Sequence, residues 1–158
     1  HSQTFIEKGR FAMTIVRQIS QTKGYRVFAV KPDDSVLDAL KLMAQEGIGA
    51  LLVMEGDKVV GIFSERDYAR RGILKGKDAD TPVKELMSHP VYYVSPDQSF
   101  EDCMAQMSDK HIRHLPVVQE GKVIGVISIG DVVKAIIGNQ LDRIHGLENY
   151  ILGREYHL

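Results

Sequence analysis

Tryptophan is missing from this chain, and cysteine occurs once. A lone thiol, Cys103, cannot close an intramolecular disulfide or supply a cysteine pair for zinc. It falls in the apolar pattern of an expected helix, which predicts a buried, inert thiol rather than a nucleophile. No apolar run reaches the roughly 20 residues needed to span a bilayer as a helix, and no secretory signal pattern is present. Together with the single cysteine, these absences favour a reducing cytosol and a cytoplasmic protein. Neither sign of charge is in excess: 20 Lys and Arg stand against 21 Asp and Glu, for a net charge of −1. That argues against nucleic acid or an anionic membrane as a partner and leaves room only for a local basic pocket. The six histidines show no His-Glu-x-x-His spacing. There is no Gly-x-Ser-x-Gly elbow, Walker loop or Gly-x-Gly-x-x-Gly after a strand. The expectation is a binding protein that is not an enzyme, with no catalytic cofactor and no metal.

What the chain does have is repetition. Gly61-Ile62-Phe63-Ser64-Glu65-Arg66-Asp67 returns 64 residues later as Gly125-Val126-Ile127-Ser128-Ile129-Gly130-Asp131. The register holds without a gap upstream. Val30, Pro32, Asp33, Ser35 and Asp38 reappear as Val94, Pro96, Asp97, Ser99 and Asp102; Met43, Ile48, Leu51 and Val53 reappear as Met107, Ile112, Leu115 and Val117. The chain is two copies of one unit. Each copy is about sixty residues, too few to bury a comfortable core alone, so the halves are expected to pack together.

Local signals give each copy the order strand, helix, strand, strand, helix. In the first, Val27–Val30 reads as a strand, and Ser35 caps a helix with Val36, Leu37, Leu40, Met43 and Ala44 on its buried face. Gly47 ends it. Residues 50–54 and 58–63 form a hairpin around Gly56-Asp57, and Ser64 caps a second helix running towards Arg71-Gly72. The second copy has strand Val91–Val94, helix Ser99–Lys110, a hairpin of His114–Val118 and Lys122–Ser128, and a helix from Ile129 that Gly138 or Asn139 breaks. Flanking helices are expected at 13–22 and, short and opened by Thr81-Pro82, through Met87. The boundaries are therefore 1–12, a leader or tag remnant if not native; 13–80, the first repeat with its N-terminal helix and linker; 81–137, the second repeat; and 138–158, an amphipathic C-terminal helix. The last is either a lid on its own domain or a dimer surface.

The motif Gly-hydrophobic-x-Ser-x-x-Asp after a hairpin, in both copies, resembles the cystathionine-β-synthase (CBS) domain. Val-x-Pro-Asp-x-Ser before each first long helix and His114-Leu115-Pro116-Val117 support the resemblance, which covers roughly residues 13–137. It implies an α/β (α+β) fold: two β-α-β-β-α repeats about a pseudo-twofold axis with flanking helices, a Bateman module with two clefts. Such modules commonly bind adenosine compounds and often form homodimers.

The residues suit that ligand. Each Ser ends a strand and starts a helix, where unpaired N–H groups favour an anion. An ionised Asp three residues on accepts but does not donate, which fits the two hydroxyls of a ribose. Taken alone, the same pair is equally a helix cap and its capping partner. Phosphate needs cations, and the copies differ. The second offers Arg113 and His114 where the first has Gly49 and Ala50, and the first offers Arg66 where the second has Gly130. Arg66 could instead pair with a surface carboxylate, and His114 could be a core histidine. Lys23 aligns with Met87. The resemblance places adenine near Phe28 and Ile48 in one copy and Tyr92 and Ile112 in the other, and counts Pro116 among the nucleotide-binding residues. The function expected is a regulatory sensor with two inequivalent sites for AMP, or else NAD(H) or ATP, acting on an unidentified target protein. The alternatives are a structural dimerisation module with vestigial sites and an enzyme acting on an adenosine compound.

Overall fold

The computed structural model describes residues 16, 17, 19 and 26–138. They divide into two compact units, one holding Arg26–Tyr93 and Glu120–Val123 and the other Val94–Gln119 with residues 16, 17, 19 and 124–138. The fold is the mixed α+β repeat expected.

In the first unit the elements are β1 (Ala29–Val30), α1 (Val36–Glu46), β2 (Ala50–Glu55), β3 (Lys58–Ser64) and α2 (Glu65–Asp67). Ser35 caps α1 by accepting from the Asp38 N–H at 3.1 Å, and Gly47 closes it in the left-handed region at φ 65°, where a Cβ would be strained. The buried face of α1 is Val36, Ala39 and Met43. Leu37 and Ala44, expected on that face, lie about a quarter turn round it and are exposed. β1 runs parallel to β2, and β2 runs antiparallel to β3 with Ala50 opposite Ser64 and Leu52 opposite Ile62. Val30, Val36, Met43, Leu51, Val53 and Phe63 form the core between sheet and helix.

Two further core residues, Val83 and Leu86, come from beyond the linker. The stretch from Thr81 to Ser88 precedes the second repeat in sequence but is laced to the first. Val36 N–H donates to Thr81 O at 2.9 Å, Val83 N–H to Asp34 O at 2.9 Å, and Ser88 N–H to Ile62 O at 2.7 Å. Its helix is one 3₁₀ turn, Val83–Glu85, with Pro82 extended before it. The residues placed 64 earlier behave alike in the second unit: Ile19 is buried like Val83. The counterpart aspartates Asp33 and Asp97 both take a cation from such a stretch, though from different positions: Lys84 at 2.8 Å and Arg17 at 2.7 Å.

The second repeat contains α3 (Phe100–Lys110), β4 (His114–Gln119), β5 (Lys122–Ser128) and helical residues 129–138, α4. Ser99 and Asp102 make a reciprocal capping box. The expected strand Val91–Val94 shrinks to one parallel bridge, Val94 to Val117. The cause is Pro116. In the first unit Leu52 N–H donates to Phe28 O at 3.2 Å; its counterpart Pro116 has no N–H to give Tyr92. Cys103, the counterpart of Ala39, is fully buried. The free thiol is buried as expected, and burial first, with the Asp102 charge second, pushes it up to about 11, which favours the protonated form.

Candidate functional site

Each Ser-x-x-Asp motif stands at a strand-to-helix step and is tied to the start of its neighbouring strand. Glu65 N–H donates to Gly49 O at 3.1 Å, and Ile129 N–H to Arg113 O at 2.9 Å. The first unit thus brings Gly49 and Ala50 beside Ser64, and the second brings Arg113, with His114 next along β4, beside Ser128. The serine and aspartate cap each other in both. Asp67 N–H donates to Ser64 Oγ at 3.1 Å and Ser64 N–H to Asp67 Oδ2 at 3.0 Å. Asp131 N–H donates to Ser128 Oγ at 3.2 Å and Ser128 N–H to Asp131 Oδ2 at 2.7 Å.

Beyond that shared frame the motifs part. Asp67 is buried. Its Oδ2 also accepts from Ser64 Oγ at 3.0 Å, and its Oδ1 accepts from Ser88 Oγ at 3.0 Å. Arg71 Nη2 stands 3.9 Å from Oδ1, while Arg71 Nη1 donates to Met87 O at 3.0 Å. The helix after Ser64 reaches Gly72 as expected, but after Asp67 it widens into a π turn at Tyr68–Gly72, and a 3₁₀ turn follows. Asp131 is half-buried and leads a helix continuous to residue 138.

Of the other expected site residues, Phe28, Ile48 and Met87 pack against the core of the first unit while keeping part of their surface. Met87 lies over Gly61, where a Cβ would run into the Met87 side chain. Arg66 and Gly130 are exposed, Tyr92 and Ile112 are half-buried, and Pro116 is buried. Lys23 lies outside the described residues, as do the leader and the C-terminal helix beyond 138. Ser88 and Arg71 are the participants that sequence reasoning missed. Their counterparts, Gly24 and Ala135, carry neither hydroxyl nor cation, and that difference was the available signal. Among the described residues no group of three or more His, Cys, Asp or Glu is arranged to hold a metal ion, and no helix is long and apolar enough to cross a membrane.

Comparison with known proteins agrees with the repeat. The CBS domain profile matches twice, at residues 16–73 and 83–138. The CBS domain-containing protein CBSX3, mitochondrial, of Arabidopsis thaliana is 34% identical over 94% of this chain and 77% of its own. The crystal structure of the CBS domain protein NE2398 superposes with a TM-score of 0.73 at 50% identity, covering 78% of this chain and 98% of that one. The CBS domain pair of MJ0100, solved in complex with 5'-methylthioadenosine and S-adenosyl-L-methionine, shares the fold at TM-score 0.70 and 23% identity, over 80% of this chain and 98% of that one.

Proposed function

The chain belongs to the CBS-domain family as a tandem pair, and on that premise we propose that it is a sensor that binds an adenosine nucleotide and does no chemistry on it. The observation that carries this reading is the second Ser-x-x-Asp. Asp131 is a partly accessible acceptor at the head of a continuous helix, with Arg113 and His114 beginning the adjoining strand. There the carboxylate takes ribose hydroxyls, and Ser128, the helix start and Arg113 take phosphate, for which a guanidinium offers bidentate donors. Ile112, half-buried before the same strand, offers part of the apolar surface a purine needs.

The first motif, with Ser64, Arg66 and Asp67, is the corresponding site with a different cation pattern. AMP is the favoured ligand, with NAD(H) and ATP next. Accommodation of adenosine compounds by the related MJ0100 pair is in keeping with this choice, though that likeness is one of fold. Regulation follows if the ligand has unequal affinity for two states of the chain or of a homodimer, and the states then act on a target protein. A cytoplasmic setting fits the lone reduced cysteine.

The test is mass spectrometry of small molecules released on denaturing freshly purified protein, followed by calorimetry with AMP, ATP and NAD⁺. An adenosine compound in the released fraction, with saturable heat for one of the three, is the expected result. Absence of both overturns the proposal. It would favour a second reading, a dimerisation module with vestigial sites, to which the exposed row Ile129, Val133 and Ile137 along α4 lends an apolar surface.

A further inference from the structure

Ser88 brings a second acceptor to the side of Asp67. The Asp67 carboxylate has about four acceptor positions. Its Oδ2 uses two of them on the amide and the hydroxyl of Ser64, each at 3.0 Å. Its Oδ1 uses one on the hydroxyl of Ser88, also at 3.0 Å. Arg71 Nη2, at 3.9 Å, stands beyond hydrogen-bond reach of that oxygen. One position therefore remains, on Oδ1, and a ribose has two hydroxyls to place.

Ser88 can take the other. Its hydroxyl gives its single proton to Asp67, so the lone pairs of Oγ stay available as acceptors, and among the described residues none donates to them. Donation to a carboxylate also polarises the hydroxyl and makes its oxygen a better acceptor. Asp67 Oδ1 and Ser88 Oγ lie 3.0 Å apart, close enough for neighbouring hydroxyls of one sugar to reach one each. Neither residue is sealed off: the Asp67 side chain keeps 11% exposure and Ser88 is half-buried. The serine is also held in place. Its backbone exchanges two hydrogen bonds with Ile62 in β3, at 2.7 and 3.0 Å, and Arg71 donates to the carbonyls of Leu86 and Met87 just before it, at 3.4 and 3.0 Å. An acceptor fixed in advance costs a ligand little ordering.

We propose that Ser88 is a ribose-binding residue of the first repeat: Asp67 Oδ1 takes one hydroxyl of the sugar and Ser88 Oγ takes its neighbour. This inference rests on the nucleotide reading above, and it extends the Ser-x-x-Asp motif by a residue 21 positions beyond Asp67. The feature selected is an intact vicinal diol, so a nucleotide lacking either hydroxyl binds there more weakly.

The experiment is calorimetric titration of the full chain with AMP and with AMP lacking the 2′- or the 3′-hydroxyl, and with the same three forms of ATP. The step that Asp67→Asn weakens is the one read. In wild type each deoxynucleotide is expected to bind there about three- to tenfold more weakly than its parent, the order of one hydrogen bond. Ser88→Ala should weaken the parent nucleotide by a similar factor and abolish the penalty for one of the two deoxynucleotides. Ser88→Thr, which keeps the hydroxyl, should keep both penalties. Ser88→Cys, whose sulfur is a poor acceptor, decides the matter if Ser88→Ala does not fold. A purely structural serine would weaken all three ligands alike. Ratios among the three that Ser88→Ala leaves unchanged, or a nucleotide step indifferent to Asp67→Asn, overturn the inference and leave binding at the second repeat standing. A chain that gives no heat with AMP or ATP also overturns it, and one that gives none with NAD⁺ either overturns the nucleotide reading as well.

Discussion

Asp67 and Asp131 stand 64 residues apart at the same place in the same motif, and their surroundings have diverged. Both aspartates cap the helix that follows. Only Asp67 is buried under a hydroxyl from Ser88 with Arg71 beside it. The same pattern recurs at other paired positions. Gly47 and His111 both end their helices in the left-handed region, at φ 65° and 53°, but only glycine does so without strain from a Cβ. Leu52 gives its N–H to the first strand, and Pro116 has none to give. Paired core positions keep their burial: Val30 with Val94, Met43 with Met107, Leu51 with Leu115 and Phe63 with Ile127 are all buried. What duplication conserved here is apolar packing. What it released is the hydrogen bonding at the margins of the sheet and helices.

That contrast can be broken or sharpened by substitution. Leu52→Pro copies the second repeat into the first. It removes the N–H bonded to Phe28 from a strand paired on both sides and a fully buried side chain, and should cost about 3 kcal/mol or more. A chemical denaturation midpoint close to wild type would show that this bond does not define β1. Asp67→Ala should cost about 2–4 kcal/mol, because it leaves the Ser64 and Ser88 donors without their acceptor. Asp131→Ala removes the acceptor for the Ser128 amide from a half-buried site, and should cost less, about 1 kcal/mol. Equal losses in thermal melts would erase the distinction between the aspartates. His111→Gly should stabilise by about 1 kcal/mol by relieving the left-handed Cβ, while Gly47→His should destabilise by a similar amount; changes of the same sign would show that strain does not separate the two caps. The smallest effect belongs to Cys103. Its thiol is raised in the folded chain from 9.0 to about 11, so the neutral form is favoured by folding. That stability is complete below pH 9 and fades as pH rises towards 11. Cys103→Ala, which copies Ala39, should flatten the alkaline end of the stability profile, and an unchanged profile would remove the thiol from the account.

Sequence alone reaches furthest where one stretch of chain contains its own cause. The hairpin at Gly56-Asp57 and the caps Ser35 and Ser64 were legible because their partners lie within a few residues, and the repeat because its copies match at a fixed spacing. The missing strand at Val91–Val94 was not, since its cause is a proline more than twenty residues later. Nor was the π turn at Tyr68–Gly72, because helix-forming residues carry no mark of which backbone rung they will use. For the candidate site, the serine, the aspartate and the adjoining Arg113 were legible as a motif and its neighbour. The burial of Asp67 was not, because Ser88 reaches it only when Thr81 to Ser88 folds back along β3.

That fold-back bears on how such a chain can be cut and joined. Val83 and Leu86 finish the interior of the unit that precedes them in sequence, and Ile19 belongs with the unit at the far end of the chain. A scissor placed at the repeat boundary would leave each fragment with a hole where its own lead-in never was. A transplanted half would carry away its neighbour's plug. A cut after Tyr93 instead of before Thr81 keeps Val83 and Leu86 with the interior they complete.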